Sequence, residues 1–125
     1  MLAKSPYNAY ANTAINTASK EALTLMLYEG ALKFTNQAII SLEEQNYARL
    51  TQLVKRSMDI IRELQITLDR KYEISNNMYL LYDHINDCLS AAGVDRDPTR
   101  LIEARDLIRE FKDTWSEAMK IAKKK

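Results

Sequence analysis

The sequence predicts an all-α protein, an antiparallel up-down four-helix bundle preceded by a short N-terminal helical arm, and three observations carry that prediction. Only two Gly and two Pro occur in 125 residues, so helix breakers are scarce. Four long stretches place apolar side chains at spacings of three and four, the period of a helix with one inward face. The segments between them are short, and helices of ~20–25 residues joined so tightly run antiparallel to their neighbours. With 46% apolar residues, the chain is expected to form a single domain, residues 1–125, with one core.

Residues 1–18 are the arm. Its only charged side chain is Lys4, and Tyr7, Tyr10, Ala11, Ala14 and Ala18 are spaced to give a short helix an aromatic and small-residue face. Such an arm can dock on the bundle and shield an apolar groove, so deleting residues 1–14 is expected to tighten partner binding. Ser19 then offers an N-cap oxygen and Glu21 an anion in the first turn, which starts a helix at Lys20 that runs to about Glu44. Leu23, Leu27, Gly30, Phe34 and Ala38 form its expected core stripe. Leu25, Leu32 and Ile39 lie on another face, and Met26, Tyr28, Ile40 and Leu42 widen the apolar arc. A helix apolar most of the way round is either centrally buried or partly reserved for a partner. It reads as the binding helix, with Tyr7, Tyr10, Met26 and Tyr28 the side chains a bundle does not need.

Asn46 is placed to cap the second helix, whose inward stripe is Leu50, Leu53, Val54, Ser57, Ile60, Ile61, Leu64 and Leu68. A charged connection, Asp69 to Tyr72, leads to a third helix traced by Ile74, Met78, Leu81, Ile85, Cys88, Leu89 and Ala92, with Gly93 predicted as its C′ stop. Asp97 and Pro98 supply an N-cap and a first-position Pro for the fourth helix. Leu101, Ala104, Ile108, Phe111, Trp115 and Ala118 point inward along it. Met58, Met78 and Trp115 are expected to fill the core.

Eighteen basic against seventeen acidic residues give a formal charge of +1, too little for a dedicated nucleic-acid binder. Lys120 and Lys123 to Lys125 suit the negative end of a last helix dipole. One cysteine makes no intramolecular disulfide and the N-terminus has no leader-like apolar run, which fits a reducing cytoplasm. No stretch approaches the ~20 apolar residues of a membrane span, so no membrane insertion is expected. A carboxylate-bridged di-metal bundle needs Glu-x-x-His on two helices. The one histidine, His84, has Leu81 at the third position before it, so metal catalysis is not expected and His84 takes a structural or surface role. Cys88, on an inward stripe, is expected to be buried and inert. With no Gly-rich loop or nucleophile elbow either, the chain is expected to be no enzyme and to use no cofactor.

The pattern Tyr10-x4-Ile15-x-Thr17-Ala18-Ser19-x-Glu21-x-Leu23, followed by Met26-Leu27-Tyr28-x-Gly30-Ala31, resembles the opening of the flagellin export chaperone family, FliS. The resemblance continues through Asp59-Ile60-Ile61-x-Glu63-Leu64-x3-Leu68-Asp69 and Glu73-Ile74-Ser75-x-Asn77-x-Tyr79-x-Leu81-Tyr82 to Trp115-x-Glu117-Ala118. One departure is Lys20, where the family usually has Pro after the capping Ser. The resemblance implies a chaperone of the bacterial cytosol that binds the C-terminal, unfolded-when-free segment of flagellin, prevents premature polymerisation and assists delivery to the flagellar type III export apparatus. The partner-binding residues then expected are Tyr7, Tyr10, Ile15, Leu23, Met26, Leu27, Tyr28 and Gly30. An export-gate component or a regulator is a further candidate partner, and a homodimer a candidate form of the free protein. Two rival readings are a purely structural helical dimerisation module and a bundle enzyme with a perturbed titration in its interior.

Overall fold

The structure is a computed structural model that describes residues 19–123. Tyr7, Tyr10, Ile15 and the rest of the predicted arm lie outside the described residues. Four helices follow in order, α1 (Lys20–Glu43), α2 (Tyr47–Ile66), α3 (Ile74–Asp95) and α4 (Pro98–Lys123). Each packs against its chain neighbours, and the first against the last, which closes a four-membered ring. Cross-helix contacts run in opposite chain senses on every side, for example Tyr28 with Phe111 and Glu21 with Trp115. The bundle is therefore antiparallel, as predicted.

The helix ends follow from local chemistry. Ser19 holds extended backbone (φ −70°, ψ 168°) and its Oγ accepts from Ala22 N at 3.1 Å, which makes it the cap of α1. That backbone is also the conformation Pro demands of the residue before it. Replacing Lys20 by Pro should therefore stabilise the fold by ~0.4–1 kcal/mol, because the first helical N–H has no helical acceptor and the unfolded chain loses freedom. Ser19→Ala should cost ~1 kcal/mol. Urea midpoints check both signs, and a destabilised Lys20→Pro variant would contradict the capping geometry.

At the other end of α1, Asn46 N donates to Ser41 O (2.8 Å) and Gln45 N to Leu42 O (3.0 Å), with Gln45 in the left-handed region at φ 59°. This is a Schellman stop. Asn46 starts the next helix at once, its Oδ1 accepting from Arg49 N at 3.2 Å. Asp97 does the same for α4, its Oδ1 accepting from Thr99 N at 2.9 Å ahead of Pro98.

Gly93 does not stop α3. The helix continues to Asp95 and ends at Arg96, whose backbone is left-handed (φ 54°, ψ 44°) and whose guanidinium lies 3.7 Å from the centroid of the Tyr47 ring. Gly93 instead lies within α3 facing α2, where an added Cβ would meet a Val54 methyl at 3.4 Å, an ordinary contact. Gly93→Ala should accordingly raise stability by ~0.5–1 kcal/mol, the helix-propensity gain, with no steric penalty to cancel it. A thermal melt reads the sign.

The core holds the predicted α2 stripe from Leu50 to Leu64, together with Ile85, Cys88, Leu89 and Ala92 of α3 and Leu101, Ala104 and Ile108 of α4. Leu68 follows the end of α2 and is only half-buried. Two helices are rotated from the predicted phase. On α1 the buried residues are Leu27, Tyr28, Ala31, Thr35, Ala38 and Ser41, while Leu23, Gly30 and Phe34 are half-buried. The reason is a buried hydroxyl pair. Thr35 Oγ1 lies 2.7 Å from Ser57 Oγ and donates to Ala31 O at 2.8 Å, and the small Ala31 lets α2 come close enough for that. On α3, Ser75 and Tyr82 point inward while Ile74 and Leu81 stay exposed. Along α4, Ala118 is exposed. Trp115 Nε1 donates to Glu21 O at 3.0 Å, level with the first turn of α1, so the turns after Trp115 run past that helix.

Candidate functional site

Three apolar depressions share one helix. At the end of the bundle where α1 starts, a cavity of about 340 Å³ is lined by Thr24, Leu64, Leu68, Tyr72, Met78 and Trp115 and reaches down to Tyr28 and Tyr82. A groove of about 440 Å³ runs between α2 and α3, with Val54, Met58, Gly93 and Val94 as its apolar lining and Lys55, Asp59 and Arg62 beside them. A smaller one, about 180 Å³, lies between α3 and α4, where Leu81, Leu107 and Phe111 meet. Between these depressions α3 exposes Ile74, Leu80 (64%), Leu81 and Val94 (79%), and just before it the connection exposes Tyr72. The inner face of α3 is already satisfied by the core, so folding does not require these side chains.

Polar details mark the same helix. Asn86 on α3 donates through Nδ2 to Met58 O at 3.3 Å, but its buried Oδ1 has no hydrogen-bond partner beside the α2–α3 groove. Gln65 Nε2 donates to Asp83 Oδ1 at 2.7 Å and to Tyr79 O at 3.1 Å, tying the end of α2 to the first half of α3. The Arg70 guanidinium lies 4.7 Å from the centroid of the Tyr79 ring and donates to Asn76 Oδ1 at 2.8 Å.

Of the expected binding residues, the structure describes Leu23, Met26, Leu27, Tyr28 and Gly30, and these do not form one exposed surface. Tyr28, read from sequence as a side chain the bundle does not need, is 2% exposed, stacked with Phe111 and hydrogen-bonded through its hydroxyl to Tyr82. That placement is corrected, because a phenol ring whose hydroxyl finds a partner packs as well as any core residue. Leu27 is likewise core, and Gly30 faces Ile60, where a Cβ would sit 3.4 Å from Cδ1. Leu23 and Met26 are half-buried. Among described residues of α1, the exposed large apolar side chain is Ile40. The helix with spare apolar surface is α3, not α1. Its signal was present in the sequence as a second apolar line, Ile74 and Leu81, one position away from Ser75 and Tyr82.

Chemistry of the catalytic kind is weak. Burial holds the Tyr28 and Tyr82 phenols above their ordinary pKa of 10.0, which keeps both neutral and unreactive. Cys88 is buried, and burial together with the Glu103 carboxylate pushes its thiol up, away from the thiolate. His84 Nε2 lies 2.7 Å from Glu103 Oε2, a hydrogen bond that holds the Glu103 carboxyl below the usual range. An interior titration is thus perturbed, as the enzyme reading expected, but toward inert protonated forms. No described helix is long and apolar enough to cross a membrane.

Comparison with known proteins adds the family. The family model described as flagellar protein FliS matches residues 3–122. A flagellar secretion chaperone FliS of Bacillus subtilis (strain 168) is 35% identical over 124 residues, covering 99% of this chain and 93% of its own. Flagellar secretion chaperones FliS of Campylobacter jejuni and Escherichia coli (strain K12) are 29% and 27% identical, over 89% and 86% of this chain and 88% and 81% of theirs.

Proposed function

This chain belongs to the FliS family of flagellar proteins, a family of secretion chaperones and not of enzymes, and we propose that its client is the C-terminal, disordered-when-free segment of flagellin, held in the bacterial cytosol until export. The observation that carries the reading is the apolar outer line of α3, flanked by grooves on both sides. A disordered segment with apolar residues at helical spacing would otherwise self-associate; laid into those grooves it folds and hides them, at the cost of ordering the segment. Leu81, Leu107 and Phe111 offer one set of contacts, Met58 and Val94 another, and Met78 with Trp115 a third at the bundle end. Leu23 and Met26 of α1 supply contact area only at the margin. Such a chaperone captures and releases by affinity alone and needs no nucleotide.

Calorimetry with a flagellin C-terminal peptide tests the proposal. Apolar burial coupled to folding requires a clearly negative heat-capacity change and little salt dependence. The helicity of the mixture, read by circular dichroism, should exceed the sum of the parts. A salt-dominated interaction or additive spectra would count against folding into an apolar groove.

A further inference from the structure

On the seam between α3 and α4, His84 and Cys88, which the sequence marks as inert, converge with Glu103. His84 and Cys88 are one helical turn apart on α3, and Glu103 comes from α4. Their Nε2, Sγ and carboxylate oxygen atoms all lie within 4.8 Å of one another. We propose that His84, Cys88 and Glu103 form a three-ligand site for a divalent transition-metal ion, Zn2+ foremost, with water as the fourth ligand, and that the ion clasps α3 to α4.

The spacing supports a tetrahedral ion. With Zn–N of about 2.05 Å and Zn–S of about 2.3 Å, the N···S edge of a tetrahedron is about 3.6 Å. Cys88 Sγ lies 3.6 Å from His84 Nε2. The His84 to Glu103 pair, at 2.7 Å, is closer than the roughly 3.3 Å edge such an ion sets. Glu103 is a partly exposed side chain on a helix surface, so a rotamer adjustment supplies the difference. Imidazole, thiolate and carboxylate are each ligand types that this ion accepts. Without an ion the Glu103 carboxylate accepts from both the His84 ring and the Cys88 thiol, so the three ligand atoms already converge on one point. A cation at the centre satisfies all three, with the imidazole proton on Nδ1 and the thiol proton released to solvent.

The charges around the trio allow this. Arg100 of α4 has its NH1 4.0 Å from Cys88 Sγ and 3.5 Å from Glu103 Oε1, where it can hold the second carboxylate oxygen and donate to the thiolate once formed. Asp87 of α3 adds a negative charge near the sulfur. His84 and Glu103 are 46% and 39% exposed while Cys88 is fully buried, so an ion enters from solvent between the two outer ligands and meets the sulfur at the bottom.

Cobalt titrated into tag-free, chelator-stripped full-length chain tests the site. A near-ultraviolet thiolate-to-cobalt charge-transfer band and the visible bands of tetrahedral cobalt should grow to saturation at a single ion per chain, and Zn2+ should then bleach them. Cys88→Ala should abolish the charge-transfer band. Because Cys88 is buried and its variant could fold poorly, Glu103→Gln is the second arm. It leaves the core untouched and should weaken cobalt binding at least as much as the ~10–100-fold that loss of an outer hydrogen-bond partner costs. Absence of the band with cobalt in excess overturns the proposal, and so does unchanged affinity in Glu103→Gln, which would place cobalt on the thiol without the α4 ligand.

Discussion

Tyr82→Ala should lower the stability of the bundle by ~3–5 kcal/mol, whereas Tyr82→Phe should cost only ~1–3 kcal/mol. The Tyr82 ring is 1% exposed and lies against Phe111, with centroids 5.2 Å apart, so truncation opens a cavity where α1, α3 and α4 meet. It also leaves the buried Tyr28 hydroxyl without its partner. Phe keeps the ring and loses the hydrogen bond alone. Domains of this size are stable by roughly 5–15 kcal/mol, so the alanine variant should lose a large share of its stability while the phenylalanine variant keeps most of it. Urea denaturation of both separates packing from hydrogen bonding, and equal costs would show that the ring contributes nothing beyond its hydroxyl. The same pair sets an alkaline limit. Both phenols have a folded pKa above the ordinary 10.0, so the native state stays protonated where the unfolded chain ionises. Their contribution is complete below about pH 10 and falls as pH rises toward the folded values. Tyr82→Phe should flatten that alkaline loss.

Leu81→Asp should weaken binding of a flagellin C-terminal peptide by ~30-fold or more. Leu81 is exposed on α3 and meets Leu107 and Phe111 in the α3–α4 groove. Burying a leucine is worth ~1.5–3 kcal/mol, which is about 10–100-fold in affinity, and an aspartate there must also be desolvated. The fold itself should lose no more than ~1 kcal/mol, mostly helix propensity, since the side chain is outside the core. Ile121→Asp, at an exposed site on the last turns of α4 away from all three depressions, should leave the affinity unchanged. Isothermal titration of both variants decides. Equal loss in the two would mean that the peptide responds to surface charge and not to the α3 grooves.

Much of this was legible in the chain. The Ser19, Asn46 and Asp97-Pro98 caps read correctly because capping is a contact within three residues, and sequence order reports such contacts directly. The α2 stripe read correctly because its polar residues leave a single apolar phase from Leu50 to Leu64. The flagellar family was legible too, since matching residues in matching order extend from Tyr10 to Ala118, and the family model covers nearly the same span.

The structure alone decided which way α1 and α3 face. Both helices carry apolar residues on more than one line, so periodicity leaves their rotation open by about one residue. That choice falls to partners far away in sequence. Tyr28 turns inward because Tyr82, 54 residues on, takes its hydroxyl, and Thr35 because Ser57 does the same. With Tyr82 inside, Ile74 and Leu81 are left outside, and the exposed apolar line falls on α3 instead of α1. His84, Cys88 and Glu103 were scattered residues until α4 packed on α3 and brought the carboxylate 2.7 Å from the ring. Local backbone chemistry sets where helices begin and end, which one segment can report; their facing is set by packing small residues and pairing buried hydroxyls across helices, which needs the whole bundle.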